Sequence, residues 1–245
     1  MSLLTVNNLS VSFPHDNTRL PVLQDLSLSV QAHEIFVLLG ESGCGKTTLL
    51  RTIGGFQKAD NGEILFDNMP LDKPSKERMM IFQSFDQLFP WFTLRENLLY
   101  ALKKTGTKKD DAKTLAENAL RDTGLLEFRN HYPGSLSGGM KQRGAIARAL
   151  AVRSKLLLMD EPFSSLDEGN RQHLYQLVQR LRQSHGTTIL LVTHDIEEAL
   201  LIGDRIAILD HNTHRVEHIF RKEACSAGTL RQALLKSASD DSSLT

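Results

Sequence analysis

The sequence predicts an α/β protein: a mainly parallel sheet covered by helices, an N-terminal antiparallel β lobe and an inserted helical subdomain. Three patterns predict it. The runs 35–39, 156–159 and 189–192 are apolar without a break, and 205–209 is of the same type. Such runs suit strands buried on both faces. Helical periods lie between them, so the strands run parallel with helices crossing over. In the first third, apolar residues alternate with polar ones, the mark of antiparallel strands with one wet face.

Leu9, Val11 and Phe13 form the first alternating set, and Leu26, Leu28 and Val30 the second. Ile64 and Phe66 form a third, after the turn signal Asn61-Gly62. The buried run 35–39 leads into a helical stretch, 47–53. From about 84 to 151 the chain reads as mainly helical, with Ala112, Leu115, Ala116, Ala119 and Leu120 on one face. The basic run 103–109 reads as a solvated loop between helices rather than a lipid-binding surface. Leu174, Leu177, Val178 and Leu181 define a later helix. The histidine-bearing stretch 211–215 reads as a hairpin turn, without a metal-ligand spacing. Leu230, Leu234 and Leu235 suit a short closing helix, too little for a large regulatory domain. The stretch 237–245 is rich in Ser and Asp and reads as frayed. No repeat is evident. The reading is one domain of 245 residues: a core lobe over 1–84 and 152–220, a helical subdomain over 85–151 and a tail over 221–245.

Composition excludes several classes. Lys plus Arg and Asp plus Glu both number 29, so the chain is neutral, unlike a protein held to nucleic acid by bulk charge. Its 40% hydrophobic content is too high for a disordered chain. No run approaches the roughly 20 apolar residues needed to span a bilayer. The N-terminus lacks the basic and apolar regions of a secretory signal. Cys44 and Cys225 do not form a disulfide framework, so a reducing compartment is expected.

Two motifs point to phosphate chemistry. Gly40-Glu41-Ser42-Gly43-Cys44-Gly45-Lys46-Thr47 fits G-x-x-x-x-G-K-[ST] between a buried strand and a helix. Its glycines turn backbone N–H groups inward onto phosphates, and the helix N-terminus adds positive potential. Lys46 is placed for the β- and γ-phosphates and Thr47 for Mg²⁺. The bland alternative is a Gly-rich turn capping a helix. Cys44 reads as a small residue in a tight loop rather than a redox thiol. The second motif is Asp160-Glu161, at the end of the apolar run 156–159. Asp160 suits a metal ion and Glu161 suits activation of water. A polar strand exit is the rival reading. Together these motifs fit kinases, GTPases, helicases and transporter ATPases alike.

Leu136-Ser137-Gly138-Gly139-Met140-Lys141-Gln142-Arg143 discriminates among them. A Ser and two glycines open a helix there, a second N-terminal anion site or simply an N-cap. With it, the sequence resembles an ABC transporter ATPase subunit, a P-loop NTPase with a RecA-like core. Leu136–Arg143 is similar to that family's signature motif. Phe13 sits where an aromatic packs on adenine, Gln83 fits the Q-loop, 164–167 fits the D-loop with Asp167, and His194 fits the switch histidine. The likeness runs from about Leu3 to Leu209. Each carried-over residue has a plainer reading: Phe13 as core, Gln83 as a surface amide, His194 in a capped turn, Asp167 as an N-cap.

The resemblance implies ATP and Mg²⁺ as cofactors. It implies a head-to-tail dimer, with ATP between residues 40–48 (Thr48 included) of one copy and Ser137, Gly138 and Gly139 of the other. Glu161 would orient water, His194 would contact the γ-phosphate, and Gln83 would sense Mg²⁺ and water. With no spanning segment here, it implies separate permease subunits, an indirect link to a solute-binding protein, and a place on the cytoplasmic face of the inner membrane. Nucleic acid is not an expected partner. The stretch 84–97 holds four large aromatics and a Pro, either subdomain core or a groove for a permease helix. Pro90-Trp91 resembles nitrate, sulfonate and taurine importer ATPases, whereas Phe163-Ser164-Ser165 departs from the Gly-Ala frequent in that group. The expectation is an importer ATPase for a small anionic solute. The alternatives are an exporter or lipoprotein-release ATPase, and a soluble non-transport ABC ATPase. The last usually carries two cassettes or a long coiled coil, and the roughly 90 residues from Lys46 to Ser137 leave no room for the coil.

Overall fold

The computed structural model describes residues 1–16, 18–71 and 73–239. The chain opens with β1 (Ser2–His15) and β2 (Thr18–Gln31), an antiparallel pair. Leu4, Val6, Leu9 and Val11 of β1, and Leu23, Leu26, Leu28 and Val30 of β2, are all buried. Strict alternation would put Val6 and Leu9 on opposite faces. A register shift between them, with Asn8 at φ 47°, turns both inward. Asp25, at φ 46°, stands at the matching break between Leu23 and Leu26.

Then come β3 (Ile35–Leu39), α1 (Lys46–Ile53), β4 (Asn61–Phe66), β5 (Met69–Pro70) and β6 (Arg78–Ile81). The helices α2 (Leu94–Lys104), α3 (Lys109–Asp122) and α4 (Gly138–Ala151) follow. The chain continues as β7 (Leu156–Asp160), α5 (Glu168–His185), β8 (Thr188–Thr193), α6 (Ile196–Ile202) and β9 (Arg205–Leu209). It closes with β10 (Val216–Arg221) and α7 (Ala227–Ser239).

One sheet has the order β2-β1-β4-β5 and is antiparallel. The other has the order β10-β9-β3-β8-β7-β6, parallel except for the edge strand β10. Pleating divides the core in two. Phe36, Leu38, Leu158 and Leu190 face α1 and the antiparallel sheet. Ile35, Val37, Leu39, Leu157 and Leu191 face α4, α5 and α6. Leu174, Leu177, Val178 and Leu181 are the buried stripe of α5. A third core lies within α2, α3 and α4, around Leu98, Ala116, Leu120 and Ala147.

The edge strand β6 had no counterpart in the sequence reading. It is four residues long and opens on the charged Arg78, and its apolar run Met79-Met80-Ile81-Phe82 leads straight into the stretch that reads as helical. The stretch 211–215 forms the β9–β10 turn, closed by a hydrogen bond from Asp210 N to Arg215 O at 2.9 Å. In α7, Leu230 is buried and Leu234 packs on the core, but Leu235 is 67% exposed and takes no part in closing it. Of the stretch 237–245, residues 237–239 end α7 and 240–245 lie outside the described residues. Among the described residues no helix is long and apolar enough to cross a membrane.

Candidate functional site

Leu39, Asp160 and Thr193 end β3, β7 and β8, three strands that neighbour in the parallel sheet. Open α/β sheets bind ligands at this edge, where loops leave in both directions. Residues 40–45 leave β3 and enter α1. Gly45 is the N-cap of α1 at φ 107°, and a Cβ there would stand 2.8 Å from Val22 O. Only glycine meets both demands. The first turn of α1 holds no acidic residue, so its N-terminal potential is unopposed. Cys44 is fully buried and burial raises its thiol pKa, which suits packing rather than reactivity.

Lys46 is 4% exposed, and its Nζ donates to Gly40 O at 2.8 Å and Glu41 O at 2.7 Å. The ammonium is thus held over the loop, 3.8 Å from Glu161 Oε1. Thr47 Oγ1 donates to Asp160 Oδ1 at 2.9 Å. Asp160 is 5% exposed. Burial raises its pKa, the Thr47 hydroxyl opposes that rise, and the charge of Glu161 adds to it. A buried carboxylate beside a hydroxyl is a pair of hard oxygen donors and fits Mg²⁺. A cleft of about 480 Å³ opens beside them, lined by Thr47, Arg51, Gln83, Gln87, Arg148 and Asp160.

Glu161 leaves β7 at φ 42°, a left-handed conformation unusual for this residue type. Its backbone N–H donates to Val192 O at 3.1 Å, which pins the turn against β8. Its Oε2 lies 3.3 Å from His194 Nδ1 and 3.5 Å from Gln83 Nε2. His194 follows β8 directly. The Thr193 hydroxyl donates to Glu198 at 2.6 Å and accepts from Asp195 N at 3.0 Å, and Asp195 caps α6. His194 is therefore presented by a braced turn, while the capping is done by its neighbour.

Lys46, Thr47, Gln83, Asp160, Glu161 and His194 thus meet in one place. Phe13, Ser137, Gly138, Gly139 and Asp167 lie outside that cluster. Ser137 caps α4, its Oγ accepting from Met140 N at 3.3 Å. Asp167 caps α5, accepting from Asn170 N at 2.9 Å, and these bonds lower its pKa. The two helix starts touch: a Cβ on Gly139 would fall 2.9 Å from Asn170 Cγ. Phe13 lies past the end of the core that holds Leu9 and Val11, paired with Leu20 and 38% exposed. That exposure removes the reading of Phe13 as core.

Ser164, read in the sequence only as part of the D-loop, has its hydroxyl 3.4 Å from Gln83 Nε2. Gln87, which brackets the loop that carries Gln83, escaped the sequence reading. A single polar residue beside a motif carries no periodic signal. A larger cleft, about 940 Å³, lies elsewhere: His33, Asp122, Lys155 and His185 line it at the opposite sheet edge. Its Lys155 pairs with Asp67 and its His185 with Asp122, and none of the cluster residues lines it.

Residues 23–164, more than half of the chain, match the family described as ABC transporter. The taurine import ATP-binding protein of Roseobacter denitrificans is 40% identical over 90% of this chain and 82% of its own. The bicarbonate transport ATP-binding protein of Synechocystis is 36% identical over 87% of this chain and 76% of its own. Among solved structures, a dimeric post-hydrolysis state of the ATP-binding cassette MJ0796, bound to ADP and Pi, superposes with a TM-score of 0.79. It is 30% identical and covers 89% of this chain and 98% of its own. With a family match over more than half of its length and relatives of this identity and coverage, the chain is an ATP-binding ATPase that belongs to the ABC transporter family.

Proposed function

We propose that the chain is the energy-coupling subunit of a multi-subunit ABC importer, hydrolysing ATP to drive uptake of a small anionic solute such as nitrate, a sulfonate or taurine. The import functions named for its relatives support uptake of this solute class. The observation that carries the catalytic part is the meeting of Lys46, Glu161, Gln83 and His194 at one sheet edge.

The mechanism follows from positioning and charge. Backbone N–H groups of residues 40–48, from Gly40, Glu41, Ser42, Gly43, Cys44 and Gly45 to Thr48, cradle the phosphates, and Lys46 adds its charge. Thr47 and Asp160 would hold Mg²⁺, aided by Gln83, and the ion when bound offsets charge on the phosphate oxygens. Glu161 orients the attacking water and takes its proton. His194 contacts the γ-phosphate and holds the Glu161 carboxylate by its ring nitrogen. Gln83 reports whether water and metal are in place.

A second copy completes the site head to tail. Its Ser137, Gly138 and Gly139 present a helix N-terminus to the γ-phosphate, Asp167 sits beside them, and Phe13 stacks on adenine. ATP then joins the two copies and its hydrolysis releases them. The permease docks on the aromatic surface of the helical lobe, where Phe89, Trp91, Phe92 and Tyr100 pack ring to ring and Trp91 is 67% exposed. That docking would hold the chain at the cytoplasmic face of the inner membrane, in indirect contact with a solute-binding protein.

Glu161→Gln tests the mechanism. It should still bind ATP, lose about 10²–10⁴-fold in turnover as expected for a lost general base, and accumulate as a dimer. Wild-type turnover would remove the role given to Glu161. Adjoining genes for a permease and a periplasmic solute-binding protein test the import reading, and a lone gene without a permease would count heavily against it.

A further inference from the structure

We infer that Gln87 is a positioning residue for ATP hydrolysis: its amide holds the loop that carries Gln83 and ties it to α4, the helix that Ser137 opens. The inference rests on the role proposed above for Gln83. Gln87 Oε1 accepts from Phe82 N at 2.9 Å, and Nε2 donates to Phe82 O at 2.8 Å and Ser84 O at 2.7 Å. One side chain thus grips the backbone immediately before and after Gln83.

The grip extends to α4 at two points. Gln87 Nε2 lies 3.2 Å from Gln142 Oε1, and Arg148 Nη1 donates to Gln87 O at 2.8 Å. Gln142 is 1% exposed, so this contact is made inside the protein, as the weakest of three that share the two amide hydrogens of Gln87, and the Arg148 bond is the stronger tie. Gln83 has no comparable anchor. Its side chain is exposed, and its contacts to Glu161 and Ser164 are long, 3.5 and 3.4 Å. Where its amide stands is therefore decided by the loop backbone, and the loop backbone is held by Gln87. The same residue thus links the Gln83 loop to the body of α4.

The amide touches neither Lys46 nor the loop over 40–45, so nucleotide affinity should not depend on it. A misplacement of about 1 Å in a catalytic constellation costs up to about 100-fold in rate, and a loosened loop should cost about tenfold.

The test compares the full chain as wild type, Gln83→Ala, Gln87→Ala and the double variant, reading kcat and the KM for MgATP. The expected result is a kcat about tenfold lower for each single variant, with KM within about twofold of wild type. The double variant should be no slower than Gln83→Ala alone, because Gln87 acts through Gln83. Normal kcat for Gln87→Ala beside an impaired Gln83→Ala would overturn the inference. So would a double variant whose losses multiply to about 100-fold, the signature of independent residues. An unimpaired Gln83→Ala would instead sink the role of Gln83, and this inference with it. Should Gln87→Ala fail to fold, Gln87→Glu replaces it. That near-isosteric change keeps the acceptor for Phe82 N and removes both donors. A lowered kcat with cooperative unfolding supports the inference, and an unchanged kcat refutes it.

Discussion

Asn97 holds the aromatic surface of the helical lobe in shape, and its removal should be costly. It lies on α2 and is fully buried, beside the capping box of Thr93 and Glu96. Its Oδ1 accepts from Phe89 N at 2.8 Å. Its Nδ2 lies 3.2 Å from Phe89 O, 3.2 Å from Phe92 O and 3.0 Å from Thr93 O. Two amide hydrogens serve three carbonyls, so the side chain makes three full hydrogen bonds. Each contributes about 1 kcal/mol net. Asn97→Ala forfeits them and regains about half a kcal/mol in helix propensity, which leaves a loss of about 2–3 kcal/mol. In a chain of this size that lowers the unfolding midpoint by about 5–10 °C. Asn97→Asp should cost more, because it keeps the bond from Phe89 N but turns a negative charge on three carbonyls. Thermal unfolding followed by circular dichroism reads both. A loss below about 0.5 kcal/mol for Asn97→Ala would refute the reasoning, since that is the scale of a surface change.

Three further outcomes are expected. Lys46→Ala should lose most of its ATP affinity by titration calorimetry, and unchanged binding would overturn the phosphate-loop assignment. Gly45→Ala, forced to φ 107° with its Cβ 2.8 Å from Val22 O, should lose about 2–3 kcal/mol of stability, mostly from strain. A wild-type midpoint would show that the loop relaxes freely. Burial raises the pKa of Asp160, so its contribution to stability is full at low pH and is lost as pH rises above the usual carboxylate range. Asp160→Asn should therefore raise the unfolding midpoint of the nucleotide-free chain at neutral pH, lose that gain on acidification, and hydrolyse ATP poorly. A lower midpoint at neutral pH would reverse the sign of this argument.

Much of the core was legible because burial on a regular element leaves a periodic trace. The apolar run 35–39 is β3, and the four-residue stripe of α5 is buried as its spacing requires. The phosphate loop was legible because a strand, a glycine turn and a helix follow one another directly, from Ile35 to Ile53. Other features left no such trace. β6 opens on the charged Arg78, and its short apolar stretch adjoins a segment that reads as helical. The offsets at Asn8 and Asp25 break the period itself, so alternation alone misplaces their neighbours. Leu235 fits an apolar triplet with Leu230 and Leu234, yet it points outward, because a helix turns it away from the face that Leu230 buries.

For the candidate site, Gln83 and His194 were nominated by the family resemblance, whereas short-range order in the chain was enough to nominate the phosphate chemistry: a lysine and a threonine at a helix start and two acids at a strand end. Each is a local pattern, and its physics is local. Their meeting is not local. Gln83, Glu161 and His194 come from three segments far apart in the chain, and they converge because they follow β6, β7 and β8, which stand side by side and end at one edge. The fastening of the Gln83 loop by Gln87, Gln142 and Arg148 is of the same kind. A side chain's partners across the fold depend on sheet order and packing, which no single stretch of residues encodes.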